Sequence, residues 1–262
     1  MQENVEALFL ASDPFREGAS LRLHTEVRGV ERAVRRGCAH DRVKLVPCFA
    51  PRTRDLQDAL MLHDPQVVHF AGHGGDRGVI YMGDAHGRPG AVGKEALAEL
   101  FGILSEWIKV VVLNGCDTLP AVEALSEVVD YAIGMNQPLT DTSAIVFAEA
   151  FYGALGMGKT VKMSFDLAVS QLRIDGNAES SIPVLRIRSG VDPTVPLAAP
   201  ADLPAPAAGA QPANLPDGQV ITFGKFAGDR TVWENRHTQD PKSTQRINID
   251  DATGSDYVFR NG

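Results

Sequence analysis

A cysteine and a histidine occupy equivalent places in two similar stretches of the chain. Cys116 follows the apolar run 110–113, and His73 follows the strand-like run 67–70, each in a turn that contains glycine. Short runs of branched apolar residues are typical of buried strands in an α/β sheet. Open α/β folds place their sites at the carboxyl ends of such strands, so the thiol and the imidazole are expected to share a crevice. This pair of groups indicates a cysteine peptidase.

Such an enzyme needs a thiolate, a group that manages protons, and donors for the developing oxyanion. We predict Cys116 as the nucleophile and His73 as its proton partner. The backbone N–H groups of Gly74 and of Cys116 are predicted to form the oxyanion hole, because glycine lets the main chain approach a substrate closely. Taken singly, a cysteine after a buried strand is more often a core residue. His69 is interpreted in that way, as a buried histidine with its polar atoms satisfied.

Composition limits the function classes. The chain has 262 residues, 44% of them hydrophobic, and a formal charge of −8; its mean hydropathy is −0.09. The acidic balance argues against nucleic acid as a partner. Three cysteines without a CxxC spacing support neither a disulfide framework nor a zinc site, and we expect no metal and no cofactor. With no signal-like or membrane-spanning apolar segment, we expect a cytoplasmic protein without a membrane partner.

Three regions are predicted along the chain. Residues 1–192 alternate strand-like and helix-like segments, which indicates an α/β domain with a mostly parallel sheet. Residues 193–217 contain seven of the sixteen prolines among many alanines and are interpreted as a linker. Residues 218–262 show short β-type runs separated by turn residues, and we predict a small β-rich segment of unknown role.

The motifs in residues 5–192 resemble the CHAT family of caspase-like cysteine peptidases, which is related to caspases, metacaspases and separase. The stretches that carry the resemblance are His69-Phe70-Ala71-Gly72-His73-Gly74-Gly75, Val112-Leu113-Asn114-Gly115-Cys116-Asp117-Thr118, Leu21-Arg22-Leu23, Glu26-Val27-Arg28, Val129-Asp130-Tyr131-Ala132-Ile133-Gly134-Met135, Phe147-Ala148-Glu149-Ala150-Phe151-Tyr152 and Pro183-Val184-Leu185. The resemblance implies a caspase-like α/β/α sandwich, a His73/Cys116 dyad and hydrolysis of peptide bonds in protein substrates. Bacterial relatives are often effectors of antiviral defence or programmed death, activated as zymogens by a partner protein or an upstream protease.

The resemblance also suggests where the substrate's P1 side chain binds. Asp141 lies where separase-like relatives carry an acid that receives a basic P1 side chain, and Asn114 lies where metacaspases carry an acidic residue. A carboxylate at the floor of a pocket would favour arginine or lysine. The alternative is that Asp141 caps the helix beginning at Thr142. The absence of Lys and Arg between Arg188 and Lys225 means that an enzyme specific for basic residues would spare its own linker.

The sequence alone leaves two alternative hypotheses. The chain can be a non-catalytic caspase-like adaptor that binds partners, although both dyad positions are filled. Residues 153–160 also match the phosphate-loop pattern GxxxxGK[ST], which requires a preceding strand. The residues before it have a helical composition, so we favour a helix–turn–helix there.

Overall fold

A computed structural model describes residues 5–15, 21–36 and 43–197, together with the backbone of four short strands further along the chain. The chain divides into two compact units, residues 1–201 and residues 202–262. Most of the predicted linker, from residue 198 onward, lies outside the described residues. So does most of the segment 218–262.

The first unit alternates strands and helices, as its sequence pattern predicts. Its elements are β1 (Val5–Ser12), α1 (Leu23–Arg36), β2 (Val43–Phe49), α2 (Asp55–His63), β3 (Val67–Gly72), β4 (Gly74–Gly75), β5 (Val79–Gly83), β6 (Pro89–Val92), α3 (Lys94–Ile103), β7 (Val110–Asn114), α4 (Leu119–Leu125), β8 (Tyr131–Met135), α5 (Asp141–Gly156), α6 (Val161–Ile174), a 3₁₀ turn (Ala178–Ser181) and β9 (Pro183–Ile187).

Six of these strands form the central sheet, in the order β2-β1-β3-β7-β8-β9. Every neighbouring pair is parallel except β8 and β9, which run antiparallel. The prediction of a mostly parallel α/β sheet is therefore confirmed. Strands β4, β5 and β6 form a separate antiparallel arm that begins directly after His73.

Helices cover both faces of the sheet, because alternate residues of each strand point to opposite sides. On β3, Val67 and Ala71 pack with the core beneath α1, α5 and α6. Val68 and Phe70 pack with the core beneath α2, α3 and α4. The result is a three-layer α/β/α sandwich. The loops after β3 and β7 are anchored by these two buried apolar strands.

The phosphate-loop alternative fails on this architecture. Residues 153–156 are the last turn of α5, and a helix therefore precedes the loop where the phosphate-binding mechanism needs a strand. Thr160 is the N-cap of α6, and its hydroxyl accepts a hydrogen bond from Met163 N at 3.1 Å. The segment is a helix–turn–helix, as the sequence favoured.

The described strands of the second unit form two antiparallel pairs. They are β10 (Gln219–Phe223) with β11 (Trp233–His237), and β12 (Arg246–Asn248) with β13 (Asp256–Val258). The sequence predicts four β-type runs here, and the second, predicted at residues 230–234, lies a few residues later. In the part of the chain that the structure describes, no helix has the length and apolarity needed to cross a bilayer.

Candidate active site

Three neighbouring strands end in side chains that can do chemistry. Strands β1, β3 and β7 are consecutive in the sheet, with Ser12 paired to Gly72 and Ala71 paired to Asn114. The residue after Ser12 is Asp13, and the residue after Gly72 is His73. Cys116 follows Asn114 by two positions, as His73 follows Ala71. Because adjacent strands lie about 5 Å apart, these registers bring an acid, an imidazole and a thiol to one rim of the sheet.

The loops that carry His73 and Cys116 touch through their backbones. A Cβ atom on Gly74 would lie 2.0 Å from the carbonyl oxygen of Cys116. One on Gly115 would lie 2.8 Å from the carbonyl oxygen of Gly72. Any side chain at either position would push the loops apart, so the glycines around the two residues allow this close approach.

The turn that presents Cys116 is fixed from beneath by Thr118. Its buried Oγ1 lies 3.0 Å from the carbonyl oxygen of Leu113 and 3.2 Å from that of Gly115. The same oxygen accepts a hydrogen bond of 2.9 Å from Met135 N. Asp117 has a φ of 53°, in the left-handed region that few non-glycine residues adopt. These contacts hold a tight turn with Cys116 at its tip.

His73 is held on one side by an acid. Its Nε2 lies 3.0 Å from Oδ1 of Asp13, and the two side chains are 30% and 16% exposed. The ring of Phe15 meets the imidazole edge-on, with centroids 4.8 Å apart. The histidine is therefore fixed in orientation but open to a ligand.

A cleft on the α1 and α5 side of the rim contains most of the residues that the sequence singled out. His73, Asn114, Cys116 and Asp141 all line it. Gly74 lies beside it through its contact with Cys116. The other lining residues are Leu21, Arg22, Leu23, Glu26, Gly72, Gly115, Leu139, Ala144 and Ile145. The structure thus brings the predicted site residues together.

Asp141 does not cap its helix. The N-cap of α5 is Thr140, whose hydroxyl oxygen accepts from Ser143 N at 3.4 Å, and Asp141 is the first helical residue. The helix also begins one residue before Thr142, so the capping alternative was wrong in both respects. The Oδ2 atom of Asp141 instead accepts a hydrogen bond of 3.1 Å from Arg22 N. This contact ties the segment before α1 to the start of α5 across the cleft.

A second carboxylate lies deeper in the same cleft. Glu26 is 4% exposed, and its Oε1 accepts a hydrogen bond of 2.6 Å from Nδ2 of Asn114. Oε1 is also 3.3 Å from Nε2 of His69, close enough for an ion pair but without hydrogen-bond geometry. His69 is fully buried and stacks on Phe9, with ring centroids 4.2 Å apart. The prediction that His69 is buried is right, but neither of its ring nitrogens is satisfied by a hydrogen bond.

Tyr152 completes this buried group. Its hydroxyl is buried and makes no hydrogen bond. Burial raises the pKa of Tyr152, and the nearby Glu26 carboxylate raises it further. The hydroxyl is therefore neutral at physiological pH and supplies no charge to the cleft.

Sequence reasoning missed three residues of this site: Asp13, Glu26 and Thr118. Asp13 was passed over as part of the turn that closes the first strand. A usable signal was present, because three buried runs end in Asp13, His73 and Cys116, and parallel strands put their carboxyl ends at one edge. Glu26 and Thr118 both lie in stretches that carry the family resemblance, but Glu26 looked like a polar position of an amphipathic helix and no residue pattern gave Thr118 a role.

The two described cysteines are both free and half-buried. Burial, and secondly the Asp55 carboxylate, raise the pKa of the Cys48 thiol, which lowers its thiolate fraction and its reactivity. Within the described ranges no group of three His, Cys, Asp or Glu residues is placed to hold a metal ion.

Comparison with known proteins identifies the fold. Neither a protein-family model nor a curated protein sequence matches the chain. Among solved structures, the Arg-specific cysteine proteinase gingipain R matches 73% of this chain with a TM-score of 0.51 and 12% identity. The chain has the caspase-like fold. At this level of identity the likeness concerns the fold alone.

Two other solved structures are similar but match less well. A secreted C11 cysteine protease from Bacteroides thetaiotaomicron has a TM-score of 0.48, with 11% identity over 65% of this chain. Caspase-1 from Spodoptera frugiperda has a TM-score of 0.47, with 10% identity over 71% of this chain. The chain spans 59% of the C11 protease and 47% of gingipain R, and 87% of the caspase. Membership of the CHAT family stays a prediction.

Proposed function

We propose that the protein is a cysteine endopeptidase that hydrolyses peptide bonds with Cys116 as nucleophile and His73 as proton partner. One observation carries this proposal: the strands β3 and β7 pair in a register that sets His73 and Cys116 at matching positions past the same rim. Both residues also line one cleft. A thiol nucleophile with an imidazole as its general base can carry out acyl transfer through a thioester.

The Cys116 turn supplies further parts of the reaction. The N–H groups of Gly74 and Cys116 are the proposed donors to the oxyanion that forms when the thiolate attacks the carbonyl carbon. Gly74 suits this role because its lack of a side chain lets its backbone lie against Cys116. No cofactor is required, since the chain's own side chains carry the proton and the acyl group.

A thiol-reactive activity probe tests the proposal against the adaptor alternative. We expect covalent labelling at Cys116 that disappears in Cys116→Ala and falls strongly in His73→Gln. Cys48→Ser is the matched control, because the raised pKa of that thiol makes it a poor nucleophile, and its loss leaves labelling unchanged. An unlabelled wild type, even with activating partners or after limited proteolysis, would favour the adaptor.

We further propose that the cleft accepts a basic P1 side chain. Two carboxylates line it, Asp141 at the wall and Glu26 at the floor. Among the lining residues that the structure describes, Arg22 is the one arginine or lysine, and it is exposed. A carboxylate and a guanidinium or ammonium group form strong charge-assisted hydrogen bonds where water is excluded.

A peptide library with varied P1 residues tests this specificity. We expect the wild type to prefer Arg and Lys, and Asp141→Asn to lose at least about tenfold of that preference, which corresponds to one charge-assisted hydrogen bond. Asp166→Asn, which changes an exposed acid paired with Lys162 on α6, is the matched control. A preference for acidic or apolar P1 residues in the wild type would contradict the proposal.

We also propose that the enzyme is latent until it is activated, as an effector in bacterial defence or programmed death would need to be. A partner protein or cleavage of the chain would supply the activation. If deletion of residues 193–262 leaves the basal activity unchanged, the tail has no part in latency.

A further inference from the structure

We propose that Asp13 is a positioning residue that fixes the tautomer and orientation of His73, so that Nδ1 is the nitrogen that serves Cys116. This inference rests on the proposed peptidase function and adds a third residue to its machinery. It assigns a role to an acid that neither the dyad nor the basic P1 pocket uses.

The first step of the argument is the hydrogen bond itself. An ionised carboxylate only accepts hydrogen bonds, so the contact of 3.0 Å between Oδ1 of Asp13 and Nε2 of His73 requires Nε2 to carry the hydrogen. In a neutral imidazole the other nitrogen, Nδ1, is then an acceptor. Asp13 thereby selects the tautomer in which Nδ1 can take the thiol proton of Cys116.

The second step is the orientation of the ring. The imidazole is confined by Asp13 at Nε2 and by Phe15, which packs edge-on against it. Asp13 is only 16% exposed, so water competes weakly for this contact. A 180° flip of the ring about Cβ–Cγ would put Cε1 in the place of Nε2 and break the hydrogen bond to Asp13, so this bond opposes the flip.

The third step links this anchor to the substrate cleft. The other carboxylate oxygen of Asp13, Oδ2, accepts a hydrogen bond of 3.1 Å from Leu21 N. The next amide, Arg22 N, is held by Asp141 at 3.1 Å. Two consecutive N–H groups of the cleft wall are thus bound by two acids, one of which also holds His73. The carboxylate of Asp13 therefore couples the position of the imidazole to the wall that contacts the substrate.

The protons balance with Asp13 unchanged throughout. The Cys116 proton passes to Nδ1 of His73, and the thiolate attacks the substrate carbonyl carbon. When the C–N bond breaks, the leaving amine takes the proton from Nδ1 and a thioester remains. Water then gives one proton to Nδ1 while its oxygen attacks the thioester, and that proton returns to the departing Cys116 sulfur. During both imidazolium stages the anion at Nε2 stabilises the charge on the ring.

The test combines kinetics with the nitrogen spectrum of the imidazole in the full-length protein. Asp13→Asn keeps the size of the side chain but offers Nε2 an uncharged amide that can also donate. We expect kcat to fall about 10²-fold or more while KM rises only about two- to fivefold, because the misplaced proton affects the reaction and the lost acceptor for Leu21 N disturbs only the cleft wall. Asp166→Asn, on the exposed face of α6, should leave both constants at the wild-type values.

The spectrum decides the tautomer without any need for activity. In ¹⁵N–¹H spectra, with the His73 signals assigned by their loss in His73→Gln, we expect wild-type Nε2 to carry a proton. Asp13→Asn should shift the His73 signals toward the other tautomer or a mixture. Wild-type His73 protonated only at Nδ1, or signals and kcat unchanged in a folded Asp13→Asn, would overturn the inference. If Cys116→Ala is inactive and Asp13→Asn is fully active, the positioning role of Asp13 is refuted and the proposed peptidase function stands. If the wild type has no activity but shows the expected spectrum, the peptidase function is refuted and the role of Asp13 in fixing the His73 tautomer stands.

Discussion

Two histidines four residues apart, one within β3 and one just past its end, each lie beside a carboxylate. The two histidine–carboxylate pairs have the same functional groups but differ in burial. His69, within β3, lies 3.3 Å from Glu26, and the two side chains are 0% and 6% exposed. His73, just past the strand, lies 3.0 Å from Asp13, and those side chains are 30% and 16% exposed. The same two functional groups thus occur once inside the sandwich and once at its rim.

The difference in burial indicates a division of roles. Removing one partner of a buried polar pair leaves the other without its contact, which costs stability. The inner pair therefore joins α1 to β3, while Glu26 also lines the cleft. The rim pair keeps access to solvent, as the proposed proton transfer requires. Position relative to the end of β3, and not residue type, separates the two pairs.

The largest contrast between the two pairs is expected when each histidine is replaced in turn. We expect His73→Gln to lower kcat/KM by about 10²–10⁴-fold while the folded protein stays stable, because the proposed general base is lost from a half-exposed position. His69→Gln should do the reverse and lower the free energy of unfolding by about 1–3 kcal/mol, because a buried polar partner loses its contact. Probe labelling and thermal unfolding of both variants measure the contrast. Equal losses of stability in the two variants would contradict it.

A smaller loss of activity is expected when the loops that carry His73 and Cys116 are moved apart and both residues are kept. The Cβ of Gly74→Ala would lie 2.0 Å from the carbonyl oxygen of Cys116, so the two loops must separate. A shift of about 1 Å at a reacting group can cost about 10²-fold in rate. Gly83→Ala is the matched control, since its Cβ would meet no atom closer than 3.8 Å. If Gly74→Ala retains wild-type labelling, the close contact between the loops has no catalytic importance.

The sequence pattern was sufficient for His73 and Cys116 but not for the acids beside the two histidines. Buried runs of branched residues mark β3 and β7, and glycines mark the turns after them, so His73 and Cys116 could be chosen as partners. The order of strands in the sheet is not written in any local pattern. Without knowing that β1 lies beside β3, Asp13 looks like an ordinary turn residue.

Glu26 and the helix α4 escaped for a different reason. Glu26 occupies an amphipathic helix in which acids normally face water, and only the tertiary packing of α1 on β3 shows that it points inward. The helix α4 (Leu119–Leu125) was not predicted, because it is only 7 residues long and has Pro120 in its first turn. Proline is well tolerated there, but so short a pattern is hard to separate from a loop.

A double-mutant cycle on the inner pair sharpens the comparison further. Glu26→Leu and His69→Phe should each destabilise the protein, since Glu26→Leu leaves His69 buried without the carboxylate beside it and His69→Phe leaves Glu26 with its hydrogen bond to Asn114 but without the imidazole. Their combination should cost at least about 1 kcal/mol less than the sum of the single changes, because the remaining partner is removed as well. Denaturant unfolding of the four proteins gives the coupling energy. Strict additivity would mean that the 3.3 Å contact contributes nothing.

The smallest change in stability is expected at Tyr152, which lies near Glu26 and His69 and has an uncharged hydroxyl. Its buried hydroxyl makes no hydrogen bond, and burial together with the Glu26 carboxylate raises its pKa, so it stays neutral. Tyr152→Phe removes an unsatisfied polar group without changing the packing of the ring. We expect the free energy of unfolding to rise by up to about 1 kcal/mol, with unchanged labelling of Cys116. A loss of stability would instead show that the hydroxyl supports Glu26. In that case the inner group extends to three residues, and its separation from the rim pair would need to be retested with Tyr152→Phe as the background.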